Sequence, residues 1–211
     1  MTTIRLIKKL IYKGTLTLKT GLHIGGTNAE LNIGGPDNFV VRNPMNNVPY
    51  IPGSSLKGKM RALVEWANGE SENGGPSTNP QSKAGALFGT AGDKENAHPS
   101  RIIVRDAEMD TTVGNFSNTD LYLTESKTEV NIDRITAKAN PRTFERVPAG
   151  AQFKVNFVIN IFNDDDENSL VDTFKNAIIL LENDYLGGHG SRGYGQVEFD
   201  IDFDHPEVLT Y

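Results

Sequence analysis

The sequence predicts an α+β fold, with helices laid on one face of an antiparallel sheet, and three observations carry that prediction. Two segments show strict apolar alternation, each is followed later by an amphipathic helical stripe, and each stripe leads into a further strand-like run. Long stretches rich in glycine, asparagine and proline interrupt this duplicated pattern.

The first alternating run is residues 15–24, TLTLKTGLHI. It places Leu16, Leu18, Leu22 and Ile24 on one face of a strand and Thr17, Lys19 and His23 on the other. The next stretch, GGTNAELNIGGPDNFVVRNP, lacks either period over most of its length and reads as a long loop, about 25–50, with a short strand at FVV. Residues 54–68, SSLKGKMRALVEWAN, follow Pro52 and Gly53 with Ser54 and Ser55 as candidate caps. They set Leu56, Met60, Leu63 and Ala67 on one stripe and end at Gly69, which is the pattern of a helix.

Residues 70–100 are polar and glycine-rich, a composition that buries too little apolar area to offset chain ordering, so a mobile insertion broken only by ALF at 86–88 is expected. RIIVRDA at 101–107 reads as a strand, and 110–150 as an extended polar excursion. QFKVNFVINIF at 152–162 alternates Phe153, Val155, Phe157, Ile159 and Ile161 inward. The helix after it carries Val171, Phe174, Ile178 and Leu181. LGGHGSRGYG at 186–195 stops that helix and feeds a last strand with Val197, Phe199, Ile201 and Phe203 inward. Strand, helix, strand, excursion, strand, helix, strand is the order of the ferredoxin-like fold shared with RNA-recognition domains, here as one domain over 1–211.

Composition narrows the chemistry. The chain has 211 residues, 37% hydrophobic and 23% charged, which suits a folded globular domain. It has no cysteine, which removes disulfides, thiolate metal sites and thiol nucleophiles together, and leaves only four histidines as soft ligands. No apolar run is long enough to span a membrane, and the first residues lack a signal-peptide pattern, so a cytoplasmic protein with no membrane partner is expected. Net charge is -6, but residues 1–70 carry nine basic against four acidic side chains, and residues 163–211 carry two against twelve. The amino-terminal half can attract phosphates; DDDE at 164–167 and the Glu198, Asp200, Asp202 alternation read as solvated surface.

Gly53-Ser-Ser-Leu-Lys-Gly58-Lys59-Met60 nearly spells a phosphate-binding P-loop, but Met60 stands where a hydroxyl must hold Mg²⁺, and the helix starts too early. What survives is a helix start with free amides near Ser54 and Ser55, and with Lys57 and Arg61 about 40° apart on one face, arranged for backbone phosphates; Lys59 points elsewhere. An ordinary amphipathic helix with solvated lysines accounts for the same residues. The glycine turn at 186–195 offers close backbone approach, with Arg192 for a phosphate and Tyr194 for stacking, and an unliganded hairpin explains it almost as well. Asp37 is the only carboxylate between Glu30 and Glu65. There is no triad spacing and no paired-histidine metal motif, so any metal would be a loosely held Mg²⁺ brought partly by substrate.

Four blocks, TGLHIGG at 20–26, IPGSSLKGKMR at 51–61, IDRITAKANPRTFERV at 132–147 and DYLGGHGSRGYGQVEF at 184–199, in this order and spacing resemble the repeated backbone subunit of type III-A CRISPR effectors, the Csm complex, within the RAMP superfamily. The resemblance spans roughly residues 10–203. It implies a ferredoxin-like core whose insertions are a catalytic loop about 25–50, the segment 70–100 and a thumb-like β-hairpin within 110–150. It also implies a guide-RNA-binding filament subunit that cuts complementary target RNA at regular six-nucleotide intervals, using a loop aspartate and a divalent metal, Mg²⁺.

The matching aspartate is Asp37, in Gly34-Gly35-Pro36-Asp37-Asn38-Phe39 where the family commonly reads Gly-Ala-Ile-Asp-Ser-Pro. RNA-binding positions carried over are His23, Ser54, Ser55, Lys57, Lys59, Arg61 and Arg134, with Gly187, Gly188, Gly190, Ser191, Arg192 and Gly193 of the glycine loop. Implied partners are a guide CRISPR RNA, complementary target RNA, copies of the chain itself and other Csm subunits. A non-catalytic RNA-binding scaffold and a guide-processing endoribonuclease of the same superfamily are the alternatives.

Overall fold

A computed structural model describes residues 3–26, 38–71, 73–91 and 97–211. The centre of the sheet is β1 (Leu6–Leu18) paired antiparallel with β7 (Gln152–Phe162), in a register that sets Leu10 against Ile159 and Leu16 against Phe153. On the far side of β1 lie β8 (Val197–Ile201), against its second half, and β9 (Glu207–Thr210), against its first. On the far side of β7 lie β3 (Ile102–Val104) and β4 (Ala107–Met109), with β2 (Tyr50–Ile51) beyond β4. The resulting order β2-β4-β7-β1-β8 is the ferredoxin-like one, with the outermost strand of one half beside the first strand of the other. The predicted fold class is correct.

α1 (Gly53–Asn68) and α3 (Glu167–Glu182) pack side by side, with α2 (Lys83–Phe88) against both. Leu56, Met60, Leu63 and Val64 from α1 and Leu170, Phe174, Ile178 and Leu181 from α3 are buried, as are Leu16, Phe153 and Phe157 of the sheet. Each such side chain contributes about 1.5–3 kcal/mol on burial. Ala67, expected on the α1 stripe, is exposed, and Val64 takes the inward place.

Several expectations need correcting. The first strand does not span 15–24; it begins at Leu6, where Lys8 and Lys9 hide the alternation, and ends at Leu18 because the chain bends at Lys19 and Thr20. Beyond the bend only single bridges remain, Leu22 with Val147 and Gly25 with Val40, so FVV is likewise not a strand. His23 is therefore not on a solvated strand face; it is 8% exposed.

The serines do not cap α1. Its cap is Pro52, without a side-chain bond, and the amide of Gly53 donates to Asp106 Oδ1 at 2.7 Å. That contact is also why RIIVRDA divides into two short strands, with Asp106 turned out between them toward the helix.

Within 70–100, expected to contribute no core, α2 forms instead. Ser82 accepts from the amide of Gly85, and Ala84, Leu87 and Phe88 are buried between α1 and α3. DDDE is not free surface either: Asp165 pairs with Arg101 at 2.8 Å, Asp166 caps α3 through the amide of Ser169, and Glu167 pairs with Lys8 at 2.7 Å. Glu198, Asp200 and Asp202 are exposed, as expected.

In 110–150 the excursion becomes a hairpin in its own two-stranded sheet, β5 (Glu125–Ile132) with β6 (Ala139–Arg146), paired from Glu125 opposite Arg146 to Ile132 opposite Ala139. Its outer end leaves Val130, Ile132 and Ile135 uncovered, Ile135 at 96% exposure. Among the described residues no helix is long and apolar enough to cross a membrane.

Candidate nucleic-acid interface

The glycine-rich turn after α3 is stitched to the segment that follows β1. Gly188 N–H donates to the carbonyl of His23 at 2.9 Å, Gly195 N–H to that of Gly21 at 3.0 Å, and Leu186 N–H to Gly195 at 2.8 Å. Gly187 has φ +75°, and a Cβ there would sit 2.4 Å from the His23 carbonyl oxygen, so only glycine fits both the backbone and the space. A single 3-10 turn, Gly190–Arg192, carries Ser191 and Arg192 into solvent.

The turn and the base of the hairpin bound a cleft of about 680 Å³, lined among others by His23, Asn38, Glu129, Arg142, His189 and Arg192. His23 Nδ1 lies 2.7 Å from the carbonyl oxygen of Glu145. A carbonyl only accepts, so that nitrogen carries the proton, and in the neutral ring Nε2 is left as an acceptor. Phe144 and His189 stack with centroids 4.4 Å apart, and the His23 ring stands 5.7 Å from that of His189. His189 Nδ1 is buried without a hydrogen-bond partner among the described residues.

Glu145 organises the wall behind His23. Its carboxylate, 2% exposed, accepts the amide of Val40 at 2.8 Å and the hydroxyl of Thr124 at 2.6 Å, and pairs with the Arg42 guanidinium. Its own amide donates to the Asn38 carbonyl at 3.0 Å. One β6 residue thus holds the chain at 23 and at 38–42. Asp37 lies outside the described residues; its neighbour Asn38 lines the cleft.

The positions predicted from sequence do not all converge there. His23 and Arg192 do, beside His189 of the glycine turn, whereas Gly190 and Gly193 line a separate cleft with Asp184 and Tyr185. The α1 residues lie apart from the cleft and have partners of their own. Lys57 donates to Ser100 Oγ at 2.8 Å, and burial together with Arg61 lowers its pKa. Arg61 bonds Glu65 at 2.8 Å and the Ser77 carbonyl at 3.0 Å. Lys59 pairs with Asp184 at 3.1 Å and lies over the Tyr185 ring at 3.8 Å. Ser54 is exposed and Ser55 half-buried. Arg134 is exposed at the hairpin end and makes no ion pair among the described residues. Tyr194, expected to offer a stacking face, is 1% exposed; burial and the Glu129 carboxylate beside it push its pKa up to about 12.

Sequence reasoning reaches Glu129, Arg142 and Glu145 only as members of a mixed-charge segment, with cations enough to contact a nucleic-acid strand but too mixed to be diagnostic, and passes over Phe144 and His189. The only signal was FER at 144–146 and the single histidine among the turn's glycines.

Residues 15–198 match the family described as the RAMP superfamily. The chain belongs to that superfamily. It is 40% identical over 210 residues to a protein of Methanothermobacter thermautotrophicus called CRISPR system Cms endoribonuclease Csm3, covering 92% of this chain and 85% of that one. A protein of the same name from Streptococcus thermophilus is 42% identical over 195 residues, covering 91% and 87%. Among solved structures, the Csm3-Csm4 subcomplex of a type III-A CRISPR-Cas interference complex matches this RAMP chain with TM-score 0.61 and 34% identity, over 93% of this chain and 78% of that one. A type III-B Cmr-beta complex bound to cognate target RNA matches with TM-score 0.64 at 18% identity, over 96% and 61%, which is a likeness of fold. The resemblance to the Csm backbone subunit is borne out.

Proposed function

We propose that the chain is a guide-RNA-binding backbone subunit of a type III-A CRISPR effector that assembles with copies of itself and other Csm subunits, and that it cuts complementary target RNA at regular six-nucleotide intervals through Asp37. The observation that carries the reading is the cleft between the hairpin and the glycine turn, which joins the Arg142 and Arg192 cations, the His23, Phe144 and His189 rings and Asn38, the residue next to Asp37, in one concave surface. The names and assemblies of the relatives support the same reading.

The chemistry follows from the residues. A guide duplex is read by base pairing, so the protein needs contacts to backbone shape rather than to bases. The cleft answers with Arg192 and Arg142. Strand scission needs a ribose 2′-hydroxyl in line with its own phosphorus, and holding a splayed nucleotide supplies much of that acceleration. Asp37 then takes the hydroxyl proton or orients the group that does, a contribution of about 10² to 10⁴-fold.

Among the described residues no cluster of three or more His, Asp or Glu could hold a metal. A divalent ion, Mg²⁺, would be held by Asp37 together with substrate phosphates, and would supply neutralisation of developing charge. The glycine-turn residues and His23 are the RNA contacts favoured by position; Lys57, Lys59 and Arg61 would first have to leave their internal partners.

The test is Asp37→Ala in the assembled complex with end-labelled complementary RNA. Loss of the regular ladder with RNA binding retained is expected, and EDTA should remove the same activity. A ladder persisting in the variant would leave a non-catalytic scaffold. Cutting of precursor guide RNA by the chain alone, in EDTA, would indicate a processing enzyme instead.

A further inference from the structure

Among the described residues lining the cleft Glu129 is the one acidic side chain, an unexpected charge in a surface read as a polyanion site. Its carboxylate is 3.1 Å from Arg192 Nη1 and 3.7 Å from Lys127 Nζ. Arg142 stands directly across the hairpin from it, in the same register position, and makes no ion pair among the described residues. Two cations thus hold one carboxylate that is 19% exposed, with a third on the residue paired to it across the hairpin, while the Arg192 side chain remains 54% exposed. Lys127 Nζ is further placed by lying 4.6 Å from the Tyr194 ring. The Tyr194 hydroxyl adds no competing charge at neutral pH, since its pKa is pushed up to about 12.

We propose that Glu129 is a built-in stand-in for an RNA phosphate: it occupies the anion position between Arg192 and Lys127 in the RNA-free chain and is exchanged for a backbone phosphate on binding. The inference rests on the RNA-binding part of the proposed function and not on cleavage. A carboxylate and a phosphate oxygen present the same acceptor to a guanidinium. A pair with one partner half in solvent stabilises the fold modestly, so it is a contact that can be given up. Its cost appears at binding, where the displaced carboxylate stays near the incoming phosphate and repels it. The exchange holds the hairpin base against the glycine turn before RNA arrives and weakens adhesion to short or poorly seated polyanions, which cannot recover the lost ion pair through further contacts.

The test is a salt titration of binding, using the full chain and a fluorescein-labelled mixed-sequence single-stranded RNA. Glu129→Gln should bind roughly three- to tenfold tighter at low salt. The slope of log affinity against log salt should change by less than about 0.7, the increment for one phosphate on a single strand, because variant and wild type neutralise the same phosphate once RNA is bound. Glu125→Gln makes the same change in net charge on the same strand, but Glu125 pairs with Arg146 at 2.6 Å and does not line the cleft, so it should change affinity less than twofold. Arg192→Gln should weaken binding, and in the double variant the gain from Glu129→Gln should shrink to less than twofold, because the two act through one contact.

Equal gains from Glu125→Gln and Glu129→Gln, or full additivity with Arg192→Gln, would overturn the stand-in while leaving the proposed function untouched. A wild-type chain that binds no RNA at any salt would remove both. Melting curves of each variant verify that the changes arise in folded protein.

Discussion

The Arg42 guanidinium closes on the carboxylate of Glu145 across 103 residues of chain, tying the segment at 38–42 to the base of the hairpin. Both are largely withdrawn from water, with side chains 13% and 2% exposed. Removing one partner of a buried pair costs about 3–5 kcal/mol, because the other charge is left behind. Here Val40 N–H and Thr124 still hold Glu145, so Arg42→Met is expected to destabilise by about 2–4 kcal/mol in urea unfolding. Arg42→Met with Glu145→Gln should recover part of that loss, since the uncompensated charge is then gone.

A second long-range contact starts α1. Asp106 replaces the missing side-chain cap by accepting Gly53 N–H from between β3 and β4. Asp106→Ala should cost about 1–2 kcal/mol, the usual worth of a lost cap, with helix content by circular dichroism nearly unchanged because Gly69 still closes the other end in the left-handed conformation. A variant as stable as wild type would show that water serves that amide equally well.

The same two contacts mark where sequence reasoning stops. Strands β7 and β8 and helix α3 were legible because their apolar residues follow one period without interruption. β1 was read too short at its start, since Lys8 and Lys9 conceal a partner strand supplied by residues 152–162. α2 was missed because six residues with two buried aliphatic positions and an aromatic one make no periodic signal; burial between two helices forms it. The glycine turn and His23 were recognisable as a site from residue types alone. Glu129 and Glu145 were not, because a carboxylate in a charged segment reads as solvated until the fold brings cations or amides to it. Lys57 and Arg61 show the converse, with helical spacing correct and their partners at Ser100, Glu65 and Ser77 invisible.

Asp110 should give the chain an acid-sensitive increment of stability. Hydrogen bonds from Thr112, first from its side chain, and from Lys154 lower its pKa from 3.8 to about 2. A carboxyl with a lower pKa in the folded state binds fewer protons there than when unfolded, so stability rises with pH across the window between the two values. The increment is complete above about pH 4 to 5 and fades as pH falls toward 2. The melting temperature of Asp110→Asn should accordingly lie below wild type at pH 6, and the gap should narrow steadily below pH 4. A gap that stays constant through that range would mean the interaction does not depend on the charge.

The glycine turn supplies a paired test of close approach against backbone strain. Gly187 and Gly193 both have positive φ, +75° and +86°, but a Cβ at Gly187 would meet the His23 carbonyl at 2.4 Å while one at Gly193 meets nothing within 4 Å. Gly193→Ala therefore carries only the left-handed penalty, about 1–2 kcal/mol. Gly187→Ala carries that penalty and must also push the turn away from His23, breaking the bond from Gly188 N–H to the same carbonyl. Its melting temperature should fall further, and its RNA affinity should drop by more than the Gly193 variant's, because the wall of the cleft shifts with the turn. Equal losses in the two variants would mean that the contact between the turn and His23 does not shape the cleft.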